Sequence, residues 1–359
     1  MNDRFWRGKK VFVTGHTGFK GSWLMLWLNS LGADACGFAL DPPSNPSLFA
    51  RADVANHCKS VHGDVRDLGA VGAAMNAFKP EIVIHMAAQA LVRSSYEDPV
   101  TTYATNVLGT VNVLEAARQC RSVAAIVNVT SDKCYENREW VWGYRENDPM
   151  GGHDPYSSSK GCAELVGSAY ARSYFCNPDG PCLASARAGN VIGGGDWALD
   201  RLVPDMMRGF LRNEDVQIRR PEAVRPWQHV LEPLSGYLLL AEKLIAGGHA
   251  FVGGWNFGPS QSSVQPVRLV ADEICALWGA PRRWIDASDP AAVHEARLLQ
   301  LDSTKARVEL GWRPRWSFKE ALAATVDWYQ EADRVSDVAE LTLRQIAQFT
   351  APAETANSH

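Results

Sequence analysis

One segment near the start restricts the fold more than any other. Val11-Phe12-Val13-Thr14-Gly15-His16-Thr17-Gly18-Phe19-Lys20-Gly21 is a β-rich run, then three glycines at GxxGxxG spacing, then an apolar stretch Trp23 to Leu31 of helical character. A strand that turns sharply into a helix brings backbone N–H groups and the positive helix end to one point, and that arrangement suits a pyrophosphate. The glycines allow the tight turn and the close approach of a ligand. A glycine loop alone is a weak signal, but its place between strand and helix favours a dinucleotide over a plain turn. Gly15, Gly18, Phe19, Lys20 and Gly21 are therefore candidate cofactor-binding residues.

The rest of the first half repeats the strand–helix alternation. Strand-like runs follow at Cys36 to Leu40, Cys58 to His62, Glu81 to His85, Ala124 to Val129 and Cys182 to Ala186, with helical patterns at Val100 to Arg118 and Ser157 to Tyr174. The strands are apolar without strict alternation, as in strands covered on both faces. Strands alternating with helices imply parallel pairing and right-handed crossovers. The expected fold is α/β: a Rossmann-like, doubly wound parallel sheet over residues 1–187. A late strand near Phe251 to Phe257 is expected to return to that sheet. Residues 188–350 are expected to form mainly a smaller substrate-binding lobe, with helices at Val267 to Trp278 and Phe318 to Ala332, and 351–359 a disordered tail.

Composition removes several function classes. The chain has 36 Lys and Arg against 40 Asp and Glu, so it has no basic excess to hold a nucleic-acid backbone. No apolar run is long enough for a membrane span, and the N-terminus has no signal-peptide core. The 8 cysteines form no CxxC pair, so no metal is expected and a reduced, cytoplasmic protein is the simplest reading.

Several residues lie where a dinucleotide would reach. Asp41, at the end of the second strand, is either the acid that holds the adenosine ribose or a solvated turn acid before Pro42. Asp64 either accepts from the adenine amino group, with Val65 against the ring, or caps a helix before Leu68. Small residues in Ala87-Ala88-Gln89, after the fourth strand, let a cofactor cross the sheet edge. Asn106, within a helical pattern, is either a cofactor contact or a back-bonded mid-helix side chain.

The strongest chemical signal is Tyr156-Ser157-Ser158-Ser159-Lys160. Residues i and i+4 share a helix face, and a cation beside a phenol lowers its pKa. Such a tyrosine can take a hydroxyl proton while hydride leaves the same carbon. Thr130-Ser131-Asp132-Lys133, at the carboxyl end of the fifth strand, places polar groups where open α/β sheets bind ligands.

Together, the glycine loop, Ser131 and the Tyr156/Lys160 pair resemble the extended short-chain dehydrogenase/reductase family. Within it, the Ser131-Asp132-Lys133 triplet resembles that of nucleotide-sugar 4,6-dehydratases. The lysine, with His85-Met86-Ala87-Ala88-Gln89, Ser94 to Pro99 and Arg225 to Val230, is similar to those acting on CDP-glucose. The resemblance implies NAD as the cofactor and conversion of CDP-D-glucose to its 4-keto-6-deoxy product and water. It implies that Tyr156 takes the C4 hydroxyl proton, Lys160 lowers the tyrosine pKa and holds the nicotinamide ribose, and Ser131 binds the C4 oxygen. Asp132 would protonate the departing C6 hydroxyl. Lys133 would either take the C5 proton or stay charged and stabilise the enolate oxygen. Asn190, Arg201 and Arg225, with His294 and Glu295, would bind the nucleotide sugar, although each arginine also reads as a surface residue. The resemblance further implies a homodimer built on the helices at Val100 to Arg118 and Ser157 to Tyr174. Two alternatives stand beside this reading. A 4-epimerase of the same family has no need of Asp132-Lys133, and a non-catalytic dinucleotide-binding regulator has no need of the YxxxK pair.

Overall fold

The computed structural model describes residues 2–177, 180–279, 281–288 and 298–352. Seven strands form one sheet: β1 (Lys10–Thr14), β2 (Asp34–Ala39), β3 (Lys59–His62), β4 (Ile82–His85), β5 (Ala125–Val129), β6 (Cys182–Arg187) and β7 (Gly253–Asn256). Their order is β3-β2-β1-β4-β5-β6-β7 and every neighbouring pair is parallel. The expected doubly wound sheet is therefore present, and the late strand pairs with β6, Gly253 opposite Ala184. Strand order reverses between β1 and β4, which opens a crevice beyond their carboxyl ends.

Both faces of the sheet are covered. Val11, Val13, Ile82, Ile84 and Val127 enter one apolar core, while Phe12, Val83 and Ile126 enter the other. This two-sided burial explains why the strands read as continuous apolar runs. The first core continues without a break into the second half of the chain, through Tyr237, Phe257, Trp312 and Trp328.

The longer helices among the described residues are α1 (Phe19–Ser30), α2 (Leu68–Phe78), α3 (Gly109–Gln119), α4 (Pro155–Ser173), α5 (Leu202–Leu211), α6 (Leu231–Gly247), α7 (Val267–Trp278), α8 (Phe318–Ala332) and α9 (Val338–Thr350). α1 starts four residues before the expected Trp23, because Gly18 serves as its N-cap and leaves the first-turn N–H groups without a side-chain cap. α3 continues a helical run from Pro99–Tyr103 through one π turn, Ala104–Leu108. Such turns cluster at functional sites, and this one carries Asn106. The second half of the chain adds short ribbons, among them Val191–Ile192 with Gln228–His229 and Val224–Pro226 with Val264–Pro266.

Candidate active site

At the sheet crevice, Gly15 has φ +77°, and a Cβ there would lie 2.7 Å from the Ala87 nitrogen. The backbone of the first loop thus rests directly on the loop that leaves β4, at Met86 and Ala87. A relay of hydrogen bonds fixes this junction. The Thr110 hydroxyl donates to the Asn106 carbonyl (2.7 Å), so it accepts from His85 Nε2 (3.1 Å). His85 Nδ1 is then left to accept from the Thr14 hydroxyl at 2.7 Å. The Thr14 oxygen in turn accepts the Met86 and Ala87 N–H groups, both at 3.1 Å. Burial lowers the His85 pKa to about 3, which keeps the ring neutral for this role.

Asn106 joins this loop to α4. Its Oδ1 accepts from the Gln89 N–H (2.9 Å), and its Nδ2 donates to the Gln89 carbonyl (3.0 Å) and to Ser159 Oγ (2.8 Å). Ser159 donates onward to the Tyr156 carbonyl at 2.7 Å. The Asn106 amide is thus engaged in tying the β4 loop to the helix that carries Tyr156 and Lys160. The Gln89 amide is occupied locally, by the Leu91 backbone and Thr102.

The residues expected to meet the adenosine differ in exposure. Asp41 is exposed and lies 3.6 Å from His62. Asp64 accepts from the Arg66 backbone and guanidinium (2.9 and 2.8 Å), which hold its carboxyl below the usual range. The helix that follows is capped by Asp67, not Asp64. Val65 is buried and packs where a side chain on Gly109 would stand. Phe19 packs toward Gly193.

The residues expected to carry the chemistry gather at the carboxyl end of β5. Ser131 caps a single turn, Asp132–Cys134: its oxygen accepts from the Lys133 N–H (3.2 Å) and its hydroxyl donates to Asp132 Oδ1 (2.9 Å). Asp132 is fully buried, and its Oδ2 has no hydrogen-bond partner among the described residues. That oxygen lies over Gly189, where a Cβ would come within 1.8 Å of it. Lys133, 30% exposed, has its ammonium 3.7 Å from Asp132. Tyr156 and Lys160 are buried on one face of α4, beside this turn. Burial pushes the Tyr156 phenol up to about 12, against a hydrogen bond with Ser131; Asp132 raises it further and Arg201 lowers it. Burial brings the Lys160 ammonium down to about 8, opposed by Glu164. In this structure the ammonium donates to the Val129 carbonyl (3.4 Å).

Behind the turn is a charged pair that the sequence reading does not single out. Arg187, ending β6, grips both oxygens of Glu164 at 2.9 Å, and both side chains are buried. Glu164 also accepts from Thr130, and Arg187 donates to the Tyr135 hydroxyl (2.6 Å). The pair therefore braces the residues on each side of the Ser131-Asp132-Lys133 triplet.

The second half of the chain carries the remaining candidates. Asn190 has φ +45°, and its buried Nδ2 has no partner among the described residues. Gln228 holds the neighbouring loop by donating to the Gly189 and Phe257 carbonyls (3.1 and 2.9 Å). Arg201 pairs with buried Asp196 at 3.0 Å. Arg225 sits on a short strand and donates to the Val224 carbonyl (2.9 Å). His294 and Glu295 lie outside the described residues. The crevice suits a dinucleotide: an open helix N-terminus, a loop into which a Cβ on Gly15 would intrude, and buried lysine and tyrosine at one end.

Comparisons with known proteins agree with this geometry. The sequence profile of the NAD dependent epimerase/dehydratase family matches residues 11–254. The chain is 53% identical to the CDP-glucose 4,6-dehydratase of Salmonella typhimurium over 97% of this chain and 98% of that protein. It is 30% identical to the dTDP-glucose 4,6-dehydratase of Streptomyces antibioticus over 76% of each. Among solved structures, the dTDP-glucose 4,6-dehydratase of Streptomyces venezuelae with NAD bound is similar at 26% identity and TM-score 0.75, covering 90% of this chain and 97% of that one. The UDP-glucose 4-epimerase of Thermus thermophilus in complex with NAD is similar at 26% identity and TM-score 0.76, covering 89% and 99%.

Proposed function

Because the chain belongs to the NAD-dependent epimerase/dehydratase family, we propose that it converts CDP-D-glucose to CDP-4-keto-6-deoxy-D-glucose and water. The observation that carries this reading is the buried Asp132 carboxylate, with one oxygen unpartnered, set beside Lys133 and Ser131. A 4-epimerase needs only to remove and return hydride at C4. It has no use for an acid and a lysine held together at the strand end.

The chemistry follows from the sugar. Hydroxide at C6 leaves poorly until C4 is a ketone and the C5 proton is acidic. NAD, when bound, supplies the hydride acceptor that returns the same hydride within one turnover. Gly15, Gly18, Phe19, Lys20 and Gly21, with Ala87 and Ala88, would hold it, and Asp41, Asp64 and Val65 would serve its adenosine end. Tyr156 takes the C4 hydroxyl proton while Ser131 holds the C4 oxygen. In the free protein the phenol stays protonated, at about 12. The positive charge of Lys160 and of the oxidised cofactor would favour the phenolate once ligands are in place. Asp132, as the carboxylic acid, hands a proton to the C6 hydroxyl as it departs. Lys133 serves the C5 side: as a free amine it takes the proton, and as an ammonium it steadies the enolate oxygen. Asn190, Arg201 and Arg225 are assigned to the nucleotide diphosphate, for which guanidinium forks are suited.

The reading includes a homodimer. Val100, Leu108 and Leu165 are exposed apolar side chains on the neighbouring helical segments Pro99–Leu108 and α4, and a second copy would cover them. Eight unpaired cysteines suit a reducing cytoplasm. No helix among the described residues is long and apolar enough to cross a membrane.

The test is turnover of purified protein with NAD⁺ and, separately, CDP-, dTDP-, GDP- and UDP-glucose. The expected result is 4-keto-6-deoxy product from CDP-glucose without net NADH. No product from any of the four, with dinucleotide bound, would overturn the reading.

A further inference from the structure

Gln228 is buried, and burying an amide is unfavourable unless its polar atoms are hydrogen-bonded. Its Nε2 bridges the carbonyls of two separate segments: Gly189, just beyond β6, at 3.1 Å and Phe257, just beyond β7, at 2.9 Å. Its backbone adds a third tie, donating to the Asn190 carbonyl at 3.3 Å within the ribbon that pairs Gln228 with Val191. The two carbonyls fix the amide in one orientation, since turned over it would set its own oxygen against both of theirs. Its Oε1 is buried and has no partner among the described residues.

The segment held in this way is the one that Asp132 rests on. A Cβ on Gly189 would fall 1.8 Å from Asp132 Oδ2 and 2.5 Å from Oδ1, so the carboxylate lies against bare backbone. Ser131 donates to Oδ1 alone, and Oδ2 has no hydrogen-bond partner among the described residues. The place of Oδ2 is therefore set by its packing on Gly189, and the place of Gly189 by the Gln228 amide. Asn190, next in the chain, has φ +45°, a left-handed conformation that the surrounding contacts must maintain. A leucine at 228 would fill similar space and hold none of these carbonyls.

We propose that Gln228 is a positioning residue of the elimination step, which holds the Gly189–Asn190 backbone against Asp132 and so aims Oδ2 at the C6 hydroxyl. In that step the C5–H bond breaks, its proton passes to the base at C5, and its electron pair forms the C5–C6 double bond. The C6–O bond breaks with its pair going to oxygen, which takes the Asp132 proton and leaves as water. Asp132 remains as the carboxylate, and nothing is oxidised or reduced. Hydride transfer from C4 belongs to Tyr156, Lys160 and Ser131, and none of the hydrogen bonds of Gln228 described above goes to them. The inference rests on the dehydratase reading of the site.

The test compares full-length wild type with Gln228→Met, which keeps the length of the side chain and removes its donors. Single turnovers with NAD⁺ follow nicotinamide reduction by absorbance and product by quenching. They are run with CDP-glucose and with its 6-deoxy-6-fluoro analogue, whose fluoride departs without a proton from Asp132. With CDP-glucose, Gln228→Met is expected to form product about 10- to 100-fold more slowly, with nicotinamide reduction within about threefold of wild type. With the fluoro analogue its deficit should shrink to less than about threefold. Unchanged product formation overturns the proposal. So does an equal loss of reduction and product, or an equal deficit with both substrates, either of which would make Gln228 a structural residue only. Thermal melting checks folding, and Gln228→Glu replaces Gln228→Met if that variant is unfolded. A wild type that forms no 4-keto-6-deoxy product overturns the dehydratase reading and this inference with it. A productive wild type beside an equally productive Gln228→Met overturns this inference alone.

Discussion

Replacing Gly189 with alanine puts a methyl carbon 1.8 Å from Asp132 Oδ2 and 2.1 Å from its Cγ. Favourable contact needs about 3.5 Å, so carboxylate and backbone must part by roughly 1.5 Å. Asp132 has nowhere to go: it is fully buried and Ser131 holds Oδ1 at 2.9 Å. Alanine itself fits the backbone, since Gly189 is not among the residues of positive φ. The variant therefore tests the position of the acid and little else. A misplacement of about 1 Å at a reacting group costs about 100-fold in rate, and overpacking of this kind costs about 1–3 kcal/mol of stability. We expect product formation from CDP-glucose to fall about 100-fold. In a single turnover, reduced nicotinamide absorbance should build up and persist, because Tyr156 and Lys160 are untouched while elimination stalls. Turnover within about threefold of wild type would refute the reasoning, as would loss of the reduction step along with the product.

Other residues give further predictions. Tyr156→Phe should lower turnover by about 100- to 10,000-fold while bound dinucleotide is retained; a variant within about fivefold of wild type would remove Tyr156 from proton transfer. Glu164→Gln should leave the Arg187 guanidinium buried without its counter-charge and cost about 3–5 kcal/mol in urea denaturation; a loss below about 1 kcal/mol would show the pair to be dispensable. Buried His16, His85 and His229 have pKa values lowered by burial from 6.5 to about 4, 3 and 3. The unfolded chain binds protons that these folded rings refuse, so stability is full above pH 6.5 and falls below it, by up to about 1.4 kcal/mol per pH unit for each ring. Melting temperatures measured from pH 7.5 to 5.5 should show that decline, and a flat profile would contradict it.

Much of the fold was legible because its signals are local. β1 runs from Lys10 to Thr14 and α7 from Val267 to Trp278, at the ends read from glycine and proline. α6 was less legible: it is buried on most sides, so no single apolar stripe marks it. Its Pro233 looks like a breaker, yet it stands in the first turn, where its missing N–H costs no intrahelical bond. The reading ends its last helix at Ala332, although Asp337 accepting from the Glu340 N–H marks the start of α9. At the site, Tyr156, Lys160, Ser131, Asp132 and Lys133 were readable from spacing and position at strand ends. Glu164 was not, since on α4 it resembles a solvated acid one turn beyond Lys160, and its partner Arg187 arrives from another strand. Lys20 was placed with the cofactor loop, while its contact Tyr237 lies 217 residues further on. Such long-range partners decide what a charged side chain does, and no local pattern encodes them.

The central claim is that one hydride leaves C4 and returns to C6 on the same molecule. CDP-D-glucose carrying deuterium at C4, turned over with NAD⁺ and examined by NMR, tests it directly. The account predicts deuterium at C6 of the 4-keto-6-deoxy product and a solvent proton at C5, without net NADH. Deuterium found again at C4 of an epimerised sugar, or lost to free NADH, would contradict it.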